Sequence, residues 1–456
     1  MFVSNSKTCF KKHICNLMMI TFIISIPCLL SCSDDDDNMS DKTETGDIES
    51  QYYIKNQKEL ALIGEEATGF DGSAYNRNTL SESERSALDG LNTFSIELFK
   101  QLESDEFNKG ENLLVSPFSA QQVLALIANG ANEQTLDEIY KVLGYDGSQE
   151  NYNSANRMLL NLLKSDDEEC AMEIANAAWI DHTKPVFRAF RSNLKNYYDS
   201  DIMGVDINAD DAGKIINSWC SDKTHGMIDK IIDDGPMSSR LVLANAVYFK
   251  ASWSDCFDKK LTSKETFYNS NGKAPKVDMM RWSQPLYANY ASLEKMDVVC
   301  IPFVDKYSMM VCLPKSKSGL GLCVESLNDG EWRRINEKLT KSLIDIRLPK
   351  FKSSADMDLV EIMKVMGIKK LFTESGCLSR LSTIPLMADE FRQKSVIDVD
   401  EDGTEAAAVT YIGEKSTGVP SYEEKAVELR IDHPFVYCIF DSSTGTILFM
   451  GSVKNL

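Results

Sequence analysis

The sequence predicts an α+β protein in which helices precede most of the strands. Three observations carry this prediction. Apolar residues recur every three to four positions in the first part of the chain, the period of an amphipathic helix. β-Branched and aromatic segments dominate from about residue 241 onward, which favours strands. Two hydrophobic runs near the C-terminus flank a turn sequence and predict a hairpin, so large antiparallel sheets are expected.

Three helices are predicted in chain order. Residues 91–102 and 119–129 each place their apolar side chains on one helical face. In the third helix, Thr135 followed three residues later by Glu138 indicates an N-terminal capping box. Gly144 is the residue type that commonly follows a helix C-terminus, so the third helix is expected to end there.

The strands are predicted from short segments rich in valine, isoleucine and aromatic residues. The C-terminal pair is joined by an Asp-Ser-Ser-Thr-Gly sequence, whose residue types favour turns. The predicted strands are 241–249, 309–313, 344–348, 427–431, 435–440 and 447–450.

The N-terminus has the order of a secretory signal. Lys7, Lys11 and Lys12 precede an apolar run over 17–26 that is too short to span a membrane comfortably. Pro27 closes the run, and residues 29–32 then read Leu-Leu-Ser-Cys, which resembles the lipobox of bacterial lipoproteins. We expect residues 1–31 to be a lipoprotein signal peptide and Cys32 to be lipidated. Ordinary cleavage that leaves Cys32 as a thiol is the alternative.

An acidic, polar stretch follows the cysteine. Asp34–Asp37 resembles the signal that sends some lipoproteins to the outer face of the outer membrane, although a solvated charge run is the simpler interpretation. Residues 33–50 have too few apolar side chains to fold, and we interpret 32–85 as a flexible tether. Whether residues 51–83 dock on the rest of the protein is left open. The expected location is the cell surface, on the outer membrane.

Charge and cysteine usage exclude several classes of protein. The formal net charge is −20, and no basic patch for nucleic acid is present. Three of the twelve cysteines lie in residues 1–31, and eight are scattered from Cys170 to Cys438 without a C-x-x-C pair. No metal site is therefore predicted. Disulfide pairing is left open, but buried free thiols are favoured for strand residues such as Cys312 and Cys438.

No catalytic pattern is apparent. Only His182, His225 and His433 remain after the signal is removed, and each is expected to be structural. The nucleophile elbow, the zinc-protease motif and the phosphate- and dinucleotide-binding glycine loops are all absent from the sequence. We therefore expect neither an enzyme nor a cofactor.

Several blocks of sequence resemble the serpins, a family of proteinase inhibitors, and occur in that family's order. This resemblance runs from about residue 88 to 456, and it implies one domain over 86–456. It also implies a fold of helices around a large central mixed β-sheet, with two further sheets and an exposed reactive-centre loop at about 401–425. The blocks are Asn112–Ser119 with Asn129-Gly130-Ala131, Asn217-x-Trp219 with Thr224, Gly226 and Ile228, Leu243–Lys250 with Trp253 and Phe257, Val396–Ala408, Asp432–Phe435 and Gly445–Gly451.

The most specific block resembles the serpin hinge, the segment that enters the central sheet after cleavage. Small side chains suit a segment that must slide between two strands, and alternation would turn Thr404 and every second residue after it toward the core. An alanine-rich turn of helix is the competing interpretation, weakened by the glycine before it and the β-branched residues after it. The hinge residues are Glu401, Gly403, Thr404, Glu405, Ala406, Ala407 and Ala408.

By the same resemblance, a target endopeptidase forms an acyl bond with the loop, and insertion of the cut loop traps the enzyme. Serine endopeptidases are the expected targets, with cysteine endopeptidases as a further class, and the inhibitor is expected to be a monomer. The resemblance assigns a sheet-opening cluster of Ser116, Ser119, Asn245 and Gln393, and a loop-insertion site of Trp253, Lys350 and Glu401. Gln393 departs from the histidine that the family usually has there, and its amide is expected to bond a serine hydroxyl and an asparagine.

Counting fourteen residues from the hinge glycine places the reactive bond at Thr417-Gly418, with Lys415-Ser416 as the alternative. Glu414 departs from the pattern, because alternation would turn its charge inward on insertion. Two other functions remain open: a non-inhibitory serpin that acts as a surface binding or chaperone-like lipoprotein, and a nutrient-capturing lipoprotein.

Overall fold

The computed structural model describes residues 59–64, 80–104, 107, 110–163, 170–237, 240–404 and 425–456. The predicted signal peptide, Cys32 and the acidic stretch lie outside the described residues. No helix in the described part is long and apolar enough to cross a membrane.

Ten helices lie within these ranges, and six of them precede the long strand that begins at Leu241. They are α1 (Glu82–Glu103), α2 (Pro117–Ala128), α3 (Glu133–Val142), α4 (Gln149–Leu163), α5 (Arg188–Tyr198), α6 (Ala212–Lys223), α7 (Leu320–Ser326), α8 (Asp329–Lys338), α9 (Val360–Met366) and α10 (Lys370–Thr373).

Eighteen strands lie in the same part of the chain. They are β1 (Leu62–Ile63), β2 (Leu113–Val115), β3 (Cys170–Asp181), β4 (Val186–Phe187), β5 (Asp201–Val205), β6 (Leu241–Ser252), β7 (Ser263–Thr266), β8 (Lys276–Arg281), β9 (Leu286–Ser292), β10 (Met296–Pro302), β11 (Tyr307–Pro314), β12 (Thr340–Pro349), β13 (Phe351–Asp358), β14 (Glu390–Val399), β15 (Gly403–Thr404), β16 (Val427–Arg430), β17 (Phe435–Asp441) and β18 (Thr446–Val453).

The central sheet has six strands in the order β13-β14-β15-β6-β3-β5, and β14 also pairs directly with β6. Strands β3 and β6 are antiparallel over their whole length, from Cys170 opposite Ala251 to Ile180 opposite Leu241. We call the end at Ala251 the hinge pole and the end at Leu241 the distal pole. The sheet is mixed, because β14 runs parallel to β6 and antiparallel to β13.

The described residues also form two further sheets. One has ten strands in the order β2-β18-β17-β11-β10-β9-β12-β8-β7, with β16 paired to β12. Strand β12 joins the two halves of this sheet, because its first half pairs with β9 and its last residues pair with β8. The other sheet is the short parallel pair of β1 and β4.

The core is divided among three apolar clusters. The first lies under helices α1 to α5, the second fills the space between the central and ten-stranded sheets, and the third packs α6 onto β3, β5 and β6. All predicted strands and the C-terminal hairpin are present, and the three predicted helices correspond to α1, α2 and α3. The α+β prediction with a large central sheet is therefore confirmed.

The predicted capping box of the third helix is wrong. Helix α3 begins one turn earlier, and Asn132 is its N-cap, with the side-chain oxygen accepting from the Thr135 N–H at 2.9 Å. Glu138 Oε2 instead accepts the main-chain N–H groups of Lys369 and Lys370, each at 2.8 Å. The prediction failed for two reasons. Asparagine caps helices as well as threonine does. Glu138, which the sequence pattern assigned to the capping box, makes a long-range contact instead.

The folded domain starts before the predicted boundary at residue 86. Helix α1 begins at Glu82, where Ser81 and Glu84 form a reciprocal capping box. Upstream, residues 59–64 also belong to the fold, because β1 pairs with β4. Part of the range assigned to the tether therefore lies against the domain.

Candidate functional site

Glu401 is the centre of a cluster of contacts at the hinge pole. Its side chain is only 4% exposed, and it forms an ion pair with Lys350 Nζ. The Thr262 hydroxyl donates to Glu401 Oε1 at 2.6 Å. Burial alone would raise the pKa of Glu401, but the hydrogen bonds from Lys350 and Thr262 outweigh it and lower the pKa below its ordinary value.

Trp253 lies beside this ion pair and holds the chain that leads into the hinge. Its indole Nε1–H donates to the Asp400 carbonyl at 2.9 Å, and its main-chain N–H donates to the Asp402 carbonyl at 2.9 Å. The ring stacks on Phe303 with centroids 4.2 Å apart. The Phe257 N–H donates to the Glu401 carbonyl at 3.0 Å. The structure thus brings Trp253, Lys350 and Glu401 together around one short segment.

Gly403 and Thr404 of the hinge lie inside the central sheet. Strand β15 is antiparallel to both of its neighbours, with Thr404 opposite Val399 on β14 and opposite Ala251 on β6. The Thr404 side chain is buried, and its hydroxyl accepts from the Ala251 N–H at 3.0 Å. The site at the hinge pole is therefore a slot between two strands that already accepts the start of the loop.

Gly403 is required by this slot. Its φ of +147° is rarely adopted by residues with a side chain, and a Cβ there would lie 2.1 Å from the Ala251 carbonyl oxygen. A side chain at this position would strain the backbone and force the hinge or β6 to shift.

Below the slot, toward the distal pole, strands β6 and β14 come together and pair. We call this arrangement the fork and its paired part the zipped segment. The two strands pair directly only from Val242 opposite Glu390 to Ala246 opposite Lys394, toward the distal pole. Between that zipped segment and β15, the described residues place no strand between them. Residues 247–250 of β6 and 395–398 of β14 are therefore not paired with each other.

The predicted sheet-opening cluster lies on the inner face of β14 near the end of this fork. Gln393 is fully buried, and its amide makes two hydrogen bonds to the main chain of Ser116: Oε1 accepts from N–H at 3.0 Å, and Nε2 donates to the carbonyl at 2.9 Å. The Ser116 hydroxyl donates to the Leu448 carbonyl at 2.8 Å and accepts from the Ser119 N–H at 3.4 Å. The amide therefore bonds the serine backbone, where the sequence led us to expect a contact with the hydroxyl.

Asn245 is opposite Gln393 on β6, so the backbone brings the four cluster positions together. Its side chain lies outside what the structure describes. The same holds for every predicted residue of the loop beyond Thr404, namely Glu405, Ala406, Ala407, Ala408, Lys415, Ser416, Thr417 and Gly418.

Sequence reasoning missed two sets of contacts at the hinge. Asp400 Oδ1 accepts the N–H groups of Asp402 and Gly403, at 2.9 and 3.2 Å. The Asp-x-Asp-Gly sequence is a turn signal that predicts such bonds. Lys259 Nζ lies 2.5 Å from Asp402 Oδ2, but these residues are 143 positions apart and no local pattern links them. Within the described ranges, no group of three metal-ligating side chains comes together.

Comparison with known proteins agrees with this geometry. Intracellular coagulation inhibitor 2 of Tachypleus tridentatus is 32% identical over 80% of this chain and 90% of its own length. An uncharacterized serpin-like protein of Methanosarcina mazei is 32% identical over 80% of this chain and 86% of its own. The crystal structure of Serpin48 from the insect Tenebrio molitor superposes with a TM-score of 0.73 at 29% identity, covering 83% of this chain and all of that one.

The family model for serpins, described as serine protease inhibitors, matches residues 89–456. This range contains the central sheet, the fork and the hinge. The chain therefore belongs to the serpin family.

Proposed function

We propose that this protein inhibits serine endopeptidases, and cysteine endopeptidases as a further class, by inserting its cut reactive-centre loop into the central sheet. The observation that carries the proposal is the position of Gly403 and Thr404 between β6 and β14. A segment that already pairs with both neighbours in the intact protein has a continuous path into the sheet. The fork below it, where β6 and β14 do not pair with each other, supports the same proposal.

The register of β15 specifies how the rest of the loop would pair. If the antiparallel alignment continues, each residue after Thr404 moves one position down β6, and residue 414 comes opposite Leu241. Ala406 and Ala408 would then face inward like Thr404, where only small side chains fit without displacing the core. Glu414 would lie opposite the first residue of β6, beside exposed Arg240, so its charge would reach solvent.

Inhibition depends on the relative rates of two steps, hydrolysis of the acyl enzyme and insertion of the cut loop. The nucleophile of the endopeptidase attacks the carbonyl carbon of Thr417, the amide bond to Gly418 breaks, and the new amine takes a proton, leaving an acyl enzyme. Water would normally hydrolyse that ester. Insertion toward the distal pole carries the acyl enzyme along the sheet before hydrolysis is complete. The alternative bond, Lys415-Ser416, would give the same intermediate with an enzyme of trypsin-like preference.

The described residues have distinct roles in this scheme. Trp253, Lys350 and Glu401 hold the start of the hinge at the mouth of the slot. Gln393 and Ser116 hold β14 against the start of α2 near the end of the zipped segment, where the strands must separate. Ser119 and Asn245 are the other two positions of this cluster. The energy for separation is supplied by a native state that is less stable than the inserted one.

The anchoring part of the proposal rests on the N-terminal sequence. Cys32 carries the lipid, and Asp34–Asp37 directs the protein to the cell surface on the outer membrane. The partner is then an endopeptidase outside the cell, and the inhibitor acts as a monomer.

One experiment separates inhibition from the non-inhibitory alternative. The protein lacking residues 1–58 is incubated with elastase, subtilisin, trypsin and papain, and the products are separated on a denaturing gel. We expect a covalent complex with at least one enzyme and a cut at Thr417-Gly418, identified by mass spectrometry of the released C-terminal fragment. A cut product without complex in every lane would reject inhibition and favour a binding or chaperone-like role.

A further inference from the structure

A short segment upstream of α1 is docked on the domain far from the hinge. Strand β1 pairs in parallel with β4, with Leu62 opposite Val186 and Ile63 opposite Phe187. The Val186 N–H donates to the Ala61 carbonyl at 2.9 Å. Leu60 is 8% exposed and belongs to the first apolar cluster, and Leu62 packs against the same cluster. The segment therefore has both main-chain and apolar contacts with the domain.

The strand that receives this segment is firmly held by the core. The Phe187 N–H donates to the Leu381 carbonyl at 2.9 Å, and the Ser382 hydroxyl donates to the Pro185 carbonyl at 2.5 Å. Val186 is fully buried. Strand β4 thus lies between β1 on one side and the Leu381–Ser382 loop on the other, so β1 is docked on a fixed element.

The docking position is at the distal pole. Strand β3 starts at Cys170 beside the hinge pole and reaches the distal pole at Ile180, and β4 follows after one turn. At about 3.3 Å per residue, the span of β6 from Leu241 to Ala251 is roughly 33 Å. The chain upstream of residue 59 therefore joins the domain at the pole opposite the hinge.

We propose that Leu60–Ile63 is a docking strand that makes the N-terminal tether leave the domain at the distal pole, so that the anchored protein presents its hinge and reactive loop away from the membrane. This inference rests on the proposed lipid anchor. A flexible chain as long as residues 33–58 has a root-mean-square span of roughly 28 Å, which is similar to the length of the sheet. The pole at which the tether is attached therefore decides which pole lies nearer the bilayer.

The geometry has a consequence for the trapped enzyme. Insertion carries the acyl enzyme from the hinge pole to the distal pole. The endopeptidase would thus be captured at the outward-facing end and held at the membrane-facing end, beside the point where the tether leaves.

The test measures the height of each pole above a membrane. Cys256 is exposed near the hinge, whereas the other seven described cysteines are buried. Burial raises the pKa of the Cys300, Cys323 and Cys377 thiols to about 12, so a maleimide dye at neutral pH labels Cys256 selectively. A second protein carries the dye at Ala189→Cys in a Cys256→Ser background, because Ala189 is exposed beside β4.

Both full-length lipidated proteins are placed in vesicles of phosphatidylethanolamine and phosphatidylglycerol that contain an acceptor-labelled lipid. We expect energy transfer from position 189 to exceed that from Cys256 by about twofold or more, since the two poles differ in height by a distance similar to the tether span. Equal transfer, or stronger transfer from Cys256, would overturn the proposal.

A variant pair then tests the docking strand itself. Leu60→Asp with Leu62→Asp should remove the difference between the two dye positions, whereas Glu59→Gln, at an exposed site, should preserve it. A difference that persists in the undocked variant would contradict the role of β1. Covalent complex formation with an endopeptidase in solution should be the same in all these proteins. If the wild type forms no complex, the proposed function is wrong, but the energy-transfer measurement still tests the orientation.

Discussion

The Thr404 hydroxyl accepts a hydrogen bond from the Ala251 main-chain N–H at 3.0 Å, so the hinge and β6 are joined before any cleavage occurs. This contact changes what a mutation at the hinge should do. Substitution of a residue that becomes buried only after cleavage would affect loop insertion alone. Thr404 is already buried in the intact protein.

Thr404→Arg should convert the inhibitor into a substrate. An unpaired charge at this position costs several kcal/mol to bury, so the arginine leaves the slot and the cut loop fails to insert. Slowing insertion tenfold requires only about 1.4 kcal/mol. The structure also predicts a change in the rate of first attack, because the arginine releases the hinge from Ala251 before cleavage. Thr404→Ser is the matched control, and the stoichiometry of inhibition and the rate of loop cleavage are the measurements.

Lys350→Ala should destabilise the native protein by at most about 1.5–3 kcal/mol, the usual value of a hydrogen bond to a charged group. The variant leaves the buried Glu401 carboxylate without its cation, although Lys350 is partly exposed and water will offset some of the loss. The control is Lys352→Ala, whose 3.7 Å contact with Asp398 is exposed. Urea unfolding of both variants checks the prediction, and equal effects would contradict it.

The ion pair also predicts a pH dependence. Because the pKa of Glu401 is lowered in the folded state, its contribution to stability is present above its ordinary value of 4.5 and is lost as the pH falls through the folded-state pKa. The free energy of unfolding should therefore decrease below about pH 4.5. Glu401→Gln should flatten this part of the profile, measured by urea unfolding at a series of pH values. An unchanged slope in the variant would show that other carboxylates are responsible.

Gln393→Leu should destabilise β14 where it contacts α2. The substitution leaves the N–H and carbonyl of Ser116 without their partner, at a cost of about 1–3 kcal/mol for each buried group. Gln393→His should restore part of the stability and make it depend on pH near neutrality, because imidazole titrates there. Thermal unfolding at pH 6 and pH 8 distinguishes the three proteins. A histidine variant with the same melting temperature at both values would contradict the second expectation.

Cys32→Ala should abolish membrane attachment. The variant lacks the acceptor for the lipid, so the protein should be recovered in the soluble fraction, and metabolic labelling with a fatty acid should fail. Replacing Asp34–Asp37 by alanine is the companion variant, which should stay lipidated but become protected from protease added to intact cells. Unchanged attachment of the Cys32 variant would refute the lipobox assignment.

The sequence predicted elements whose signals are local. The strand at 241–249, the C-terminal hairpin and the helix at 119–129 have a period or a turn sequence that the final structure keeps. The helix α3 cap was missed because two capping residues compete within one turn, and the choice depends on a contact between Glu138 and a distant loop.

The candidate site was predictable only through its resemblance to a family. Trp253, Lys350 and Glu401 are far apart in the chain, and composition alone gives no reason for them to meet. The insertion of Thr404 in the intact protein has no sequence signal, because it depends on how far β6 and β14 separate. The docking of Leu60 also depends on a surface formed by distant residues, so the sequence left it open.

The fork between β6 and β14 divides loop insertion into two energetic regimes. By the register of β15, residues 405–408 would enter where no hydrogen bonds between the two strands need to break, and each would gain partners on both sides. Residue 409 would be the first to meet an existing pair, Lys394 with Ala246. From there to Glu390, each inserted residue replaces one parallel pairing between β14 and β6 by two antiparallel pairings, one with each strand. Antiparallel pairing is somewhat more stable per residue. The barrier should therefore lie at the start of the zipped segment, and once that pair opens every further step is downhill.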